Sequence, residues 1–221
     1  MLAALNCQRL QIIKLLSISI YGLILLSLSE FYSYVSSYLP LGAGTSMNDV
    51  RLKAAVLVPV YRNESGELIL VLVRRTAGDI HGGQIAFPGG KKSSKDKTLL
   101  DTALRETEEE IGLKKSQIEI LAELPNVYTQ TSRFDIAPFL AKIIRPTKWT
   151  LAEREVEEII EIPVSELVKP DAQGEEVRNF PQWPAPRIVP FYRIGEHQLW
   201  GATYRILNPI VDKLLNHHWK I

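Results

Sequence analysis

Glu106, Glu109 and Glu110, with Arg105 beside them, are the residues whose types and spacing most suggest chemistry. Spacings of three and four put side chains at neighbouring positions on a helix, so the three carboxylates would share one side of it. Like charges so placed destabilise a helix by roughly a few tenths of a kcal/mol per pair. A hard divalent cation reverses that sign, because Mg²⁺ or Mn²⁺ prefers carboxylate oxygen and water. Arg105 stands one turn before Glu109 and is spaced to pair with it and orient it. The bland alternative is a solvated helix face, which is what an acidic run usually is. Just upstream lies HGGQIAFPGG, from His81 to Gly90. Taken alone, its Gly89–Gly90 pair reads as a turn, since glycine takes positive φ freely.

The elements that must position these residues can be read from periodicity. Leu100, Ala103, Leu104, Thr107 and Ile111 form an apolar stripe at helical spacing, on the side away from the glutamates. Residues 98–111 therefore read as a helix. Gly112 supplies its C-terminal stop, and Asp96 near its start complements the helix dipole. Residues 53–61 and 68–73 read as a strand pair across a turn at 63–66, and residues 81–90 as a glycine-rich loop. Further strands are expected at 118–124, 136–144 and 156–162, with a short helical turn at 163–167. The proline-rich stretch 171–190 reads as an irregular loop. Helical periodicity returns from Gly201 to about His217, with Pro209 implying a kink or a late start. Mixed strands and helices point to an α/β sandwich.

Residues 1–46 differ from the rest. The run from Leu15 to Leu28 is apolar apart from three serines, and it is preceded by Arg9 and Lys14. A full membrane span needs roughly 20 residues, and a secretory apolar region roughly 7 to 15. Three readings stay open. The segment is a signal peptide, or a membrane anchor within 12–28, or an over-extended start with translation beginning at Met47. A domain from 47 to 221 follows in each case. Cys7 is the sole cysteine, which excludes an internal disulfide and a cysteine zinc site and fits the cytoplasm. With 26 basic against 25 acidic residues, the net charge of +1 gives no electrostatic reason to expect nucleic acid as a partner. A homodimer is compatible with everything above.

Joined together, the glycine loop and the acidic helix resemble a known family. Arg105-Glu106-Thr107-Glu108-Glu109-Glu110-Ile111-Gly112-Leu113 matches the R-E-U-x-E-E-x-G-U core of the Nudix box at every position, U being bulky or apolar. The commonest box places its glycine and first acidic residue where Lys91 and Lys97 stand here. This chain instead carries Gly90 and Asp96, with one residue more between Asp96 and Arg105. That variant, with His81, Gly83, Gln84, Phe87, Pro88, Gly89 and Gly90 before it, resembles the Nudix subgroup acting on coenzyme A. TSRFDIAPF (131–139) and HQLWGATYRIL (197–207) extend the likeness, which covers roughly Lys53–Leu215. Asp79-Ile80 depart from it, standing where a Leu-Arg pair is common.

The resemblance implies an α/β/α sandwich with a mixed β-sheet and metal-dependent hydrolysis of a pyrophosphate bond. Coenzyme A or an acyl-coenzyme A would yield 3′,5′-ADP and (acyl-)4′-phosphopantetheine. It implies Mg²⁺ or Mn²⁺ held by Glu106, Glu109 and Glu110, with the Gly90 carbonyl a further candidate and Arg105 orienting them. His81, Gln84, Gly89 and Gly90 would meet the nucleotide substrate. The general base in this family is a glutamate of the box, such as Glu109, or one from a later strand. Here Glu155, Glu157 and Glu158 precede or begin a strand, and Glu157 or Glu158 could face the site. A solvated sheet edge is the alternative for either. Trp200 reads as core rather than as a stacking platform. Two other functions stay open: hydrolysis of another nucleoside diphosphate derivative, such as ADP-ribose or a dinucleoside polyphosphate, and a non-catalytic nucleotide-sensing module.

Overall fold

Strand β1 (Leu52–Arg62) is apolar along almost its whole length because both of its faces are covered. Ala55 and Leu57 point into one hydrophobic cluster, and Val58 and Val60 into the other. The computed structural model describes residues 51–77, 82–129, 132–180 and 183–221. The apolar segment 12–28 and His81 lie outside them. Among the described residues no helix is long and apolar enough to cross a membrane.

A turn closed by the Gly66 N–H on the Asn63 carbonyl (2.9 Å) leads into β2 (Leu68–Arg75). The two strands pair only where they join, Val60 to Arg62 against Leu70 to Leu68, and then part. Into the gap runs the stretch expected to be a loop. Its residues Ile85–Ala86 (β3) pair with β2, and Gly89–Lys91 (β4) pair with β1. Residues 85–91 are thus a wedge in the sheet, not a free loop. Strands of two and three residues leave no periodicity, and here the diverging neighbours supply their partners. Gly89 could carry no side chain, because a Cβ there would sit 2.3 Å from the Ala55 carbonyl and its φ is +149°.

The remaining strands are β5 (Ile118–Glu123), β6 (Val127–Tyr128), β7 (Phe134–Ile143) and β8 (Val156–Pro163). β7 runs parallel to β1 over nine residue pairs, whereas every other pairing in this sheet is antiparallel. The sheet is therefore mixed, as expected. β8 flanks the far edge of β2.

Helix α1 (Leu99–Ile111) covers one face, packing Ala103, Leu104 and Ile111 on Ala55, Leu57, Ala137 and Phe139. Thr98 caps it, exchanging hydrogen bonds with Asp101, and Gly112 ends it in the left-handed conformation. Asp101, not Asp96, is therefore the acidic residue at the helix start. The three glutamates also do not share one exposed side. Glu110 is 2% exposed and belongs to the buried face beside Thr107 and Ala103, whereas the Glu109 side chain is 61% exposed. The turn advances by about 100° per residue, so a residue at the edge of the apolar stripe is carried under the sheet rather than into solvent.

The stretch 171–190, expected to be irregular, holds most of a second sheet. β9 (Gln173–Arg178), β10 (Arg187–Ile194) and β11 (His197–Trp200) form an antiparallel meander. Its prolines lie in the link between β9 and β10, except Pro190 within β10, so they do not break the ladder as their density suggested. Helices α2 (Gly201–Leu207) and α3 (Val211–Leu215) follow, separated by a single tight turn at Asn208–Ile210 that accommodates Pro209. Tyr192, Leu199, Leu207 and Leu214 close the second face of the large sheet against Leu70, Leu72 and Leu140. The architecture is an α/β sandwich with layers on both sides of one mixed sheet.

Candidate active site

The wedge brings the glycine pair against the acidic helix. The Gly89 N–H donates to Glu110 Oε2 at 2.9 Å. At Gly90 a Cβ would lie 2.4 Å from Glu106 Oε2, so the Glu106 carboxylate occupies the space a side chain would need. The two successive glycines thus answer different neighbours, the β1 backbone at Gly89 and the Glu106 carboxylate at Gly90.

Arg105 organises the other side of the cluster. Its Nε and Nη2 each reach a different oxygen of Asp96 at 2.9 Å, a bidentate grip. Nη2 also lies 2.8 Å from Glu106 Oε1 and donates to the Lys91 carbonyl at 3.2 Å. Nη1 donates to Glu109 Oε2 at 3.0 Å, the pairing its i,i+4 spacing suggested. Asp96 is 6% exposed and also accepts from the Ser93 N–H and the Thr102 hydroxyl. Arg105 above all, then Ser93 and Thr102, hold the Asp96 carboxyl well below the usual carboxylate range against the opposing effect of burial. Asp96 is therefore the anchor of Arg105 and has no oxygen left without a partner.

The two inner glutamates shift the other way. Burial pushes the Glu110 carboxyl up to about 7. The Gly89 N–H and Arg75 oppose that shift, while the negative charges of Glu106 and Glu155 add to it. Burial also raises Glu106, against Arg105 and with help from Glu109 and Glu155. Arg75 Nη1 lies 3.7 Å from Glu110 Oε1.

Alternation along β2 sorts the glutamates that follow. Val71 and Val73 face α1, so Arg75 does too, and Arg74 faces away. Glu157 and Glu158 both pair with Arg74, at 3.0 and 3.1 Å. Glu155, just before β8, is the member of that acidic run whose charge reaches both Glu106 and Glu110. The signal for it was available, since a strand puts every second residue on one face, but a register irregularity opposite Arg74 and Arg75 hides the parity. Gln84 lies next to the cluster, its carbonyl accepting from the Arg75 N–H at 3.1 Å. Trp200 is half-buried rather than core, with the Arg178 guanidinium 4.1 Å from its ring and Phe180 stacked on it.

Among the described residues no three ligating side chains converge as a preassembled metal cage. The donor set nevertheless fits a hard cation. Glu106 and Glu110 offer carboxylate oxygens beside the Gly89–Gly90 backbone, and the negative charge of Glu106 raises the proton affinity of Glu110. A divalent ion relieves that repulsion and takes hard oxygen donors of this kind. Carboxylates with a fixed arginine at one flank suit reaction at an anionic phosphorus centre.

A family model described as NUDIX domain matches residues 51–185. A protein of Citrobacter koseri named uncharacterized Nudix hydrolase NudL is 35% identical over 180 residues, covering 81% of this chain and 85% of its own. One of the same name from Photorhabdus laumondii is 28% identical, covering 86% of this chain and 99% of its own. Among solved structures, a MutT/nudix family protein from Enterococcus faecalis superposes with a TM-score of 0.49 at 18% identity, covering 85% of this chain and 70% of that one.

Proposed function

The chain belongs to the NUDIX family, a family of hydrolases acting on nucleoside diphosphate derivatives, and on that premise we propose that its substrate is coenzyme A or an acyl-coenzyme A. The reading is carried by one observation: it is Gly90 that abuts Glu106, and Asp96 that grips Arg105. This is the register in which the box resembles the coenzyme A subgroup, rather than the register through Lys91 and Lys97. GQIAFPGG, the stretch leading into it, is the wedge that seats both inner glutamates.

Water attacks one phosphorus of the P–O–P bridge, the bridge bond breaks, and the leaving phosphate keeps the bridging oxygen. The products are 3′,5′-ADP and (acyl-)4′-phosphopantetheine, with one proton released to a base. Glu106 and Glu110 would hold Mg²⁺ or Mn²⁺, with Glu109 reaching in from solvent. When bound, the cation neutralises phosphate oxygens and acidifies the attacking water. Arg105 fixes Glu106 and Glu109 from one side, and Asp96 fixes Arg105. Arg75 balances the charge of Glu110 and faces where an anionic substrate would lie. Glu155 is the base best supported by its electrostatic reach to Glu106 and Glu110.

The test is turnover of coenzyme A, acetyl-coenzyme A, ADP-ribose and diadenosine tetraphosphate with Mg²⁺ and with Mn²⁺, products identified by mass spectrometry. Coenzyme A or its acetyl form should give the highest kcat/KM and yield 3′,5′-ADP. Preference for ADP-ribose or the dinucleotide would reject the coenzyme A assignment and leave the hydrolase.

A further inference from the structure

A basic cavity lies beside the acidic cluster, and the proposed reaction uses none of its side chains. Leu52, Lys53, Lys91, Lys92, Ser93 and Ser94 line it, where β1 begins and β4 ends. Strand alternation shows which way its amines leave. The side-chain direction at Gly90 points at Glu106. Lys92 stands two residues on, still laddered to β1 through its N–H on the Lys53 carbonyl (2.9 Å). It therefore leaves the sheet on the Glu106 side, about 7 Å further along. Lys53 has the parity of Ala55, the partner of Gly90, and leaves on that side as well.

The charge of this cavity is cancelled locally only at Lys53. Lys53 Nζ sits 2.5 Å from Asp135, whose other oxygen accepts from Asn126 at 2.8 Å. The Lys91 amine rests 5.5 Å from the centre of the Phe134 ring. Among the described residues neither Lys91 nor Lys92 forms an ion pair, and Asp96, the nearest carboxylate along the chain, is held by Arg105. The lining also carries two serine side chains and no carboxylate.

We propose that this cavity binds a phosphate monoester of the same substrate whose pyrophosphate lies at Glu106 and Glu110, with Lys92 as its specificity residue. A monoester carries a charge of about −1.5 to −2 near neutrality and takes ammonium and hydroxyl donors. The offset of two strand residues from Gly90 is comparable to the spacing between the 5′- and 3′-phosphorus atoms carried by one ribose. The inference rests on the coenzyme A reading, in which the group is the 3′-phosphate. It makes the cavity the device that separates coenzyme A from its 3′-dephospho form.

The experiment compares kcat/KM for coenzyme A and 3′-dephospho-coenzyme A in the full chain and in Lys92→Ala and Lys92→Arg. Lys92 is exposed and has no side-chain partner among the described residues, so Lys92→Ala should fold, which a melting curve checks. The wild type should prefer coenzyme A, Lys92→Ala should cut that preference about tenfold, mainly through KM, and Lys92→Arg should keep it. Equal losses on both substrates, or an unchanged ratio, would overturn the proposal. Calorimetry with 3′,5′-ADP and 5′-AMP separates this site from the substrate reading. If coenzyme A is not cleaved but the wild type alone favours 3′,5′-ADP, the cavity stands and the substrate assignment falls. Equal affinity of the wild type for both nucleotides rejects the cavity whether or not coenzyme A is cleaved.

Discussion

Gly90 lies under Glu106 so closely that any side chain at position 90 would share space with the carboxylate, 2.4 Å from Oε2. The obstructing atoms are the far end of a flexible side chain, so Gly90→Ala is expected to fold with little loss of stability. It should nevertheless displace Glu106 and cut kcat by about 10²-fold, a 1 Å misplacement at a reaction site being worth that much. Gly89→Ala should differ, because there the clash is with backbone and φ is positive. It is expected to cost roughly 1–3 kcal/mol or more. Urea titration and turnover of the two variants side by side check the contrast.

Glu106→Gln and Glu110→Gln are each expected to lower turnover by orders of magnitude while leaving the secondary structure intact. Binding of Mn²⁺, followed by its relaxation of water protons, should weaken in both. Wild-type rates and Mn²⁺ affinity in either variant would remove that residue from the metal site.

Arg105→Met leaves Asp96 buried without its cation, and should destabilise the fold by about 3–5 kcal/mol. Asp96→Asn added to it should restore part of that loss, since the uncompensated charge is gone. A double-mutant cycle on unfolding free energies measures the coupling, and simple additivity would show that the pair acts independently.

The acidic groups predict a particular dependence of stability on pH when divalent ions are chelated. Asp96 titrates below its unfolded value, so its contribution is present above the ordinary aspartate range and is lost as pH falls toward the folded value. Glu110 works in the other direction. Its folded carboxyl holds a proton up to about 7, so stability declines as pH rises from the ordinary glutamate range to about 7. Denaturation in EDTA at pH 5 and pH 7.5 should show that decline in the wild type and a flatter response in Glu110→Gln. Mg²⁺ should reduce the wild-type decline.

Among the glutamates around β8, Glu155→Gln is expected to slow turnover most, by about 10²-fold or more for loss of a general base. Glu157→Gln and Glu158→Gln should have smaller effects, each pairing with Arg74 on the other side of β2. Wild-type turnover in Glu155→Gln would assign the base elsewhere.

Long periodic elements were legible in the sequence. β1, β2, β7, β8 and α1 fall within two residues of their expected limits, because each pairs a burial pattern with a clear stop such as Gly112 or the 63–66 turn. Arg105 with Glu109 was legible from helical spacing alone. What escaped depended on partners distant in sequence. β3 and β4 exist only because β1 and β2 diverge, and β9 and β10 read as a loop because proline density masks two short strands facing each other. Asp96 looked like a helix-dipole residue because nothing local reveals that Arg105 folds back onto it. Glu110 looked exposed because the apolar stripe gives no sign that a carboxylate rides at its edge.

The short reach of the contacts that assemble the site has a kinetic consequence. Asp96 and Arg105 are 9 residues apart, Lys91 and Arg105 14, and Gly89 and Glu110 21, whereas Lys53 meets Asp135 across 82. Closing the shorter loops costs less chain entropy, so the wedge and its helix are expected to come together early in folding, before the parallel seam between β1 and β7. Folding rate and catalysis are then borne by the same few dozen residues, and substitutions that slow one should tend to slow the other.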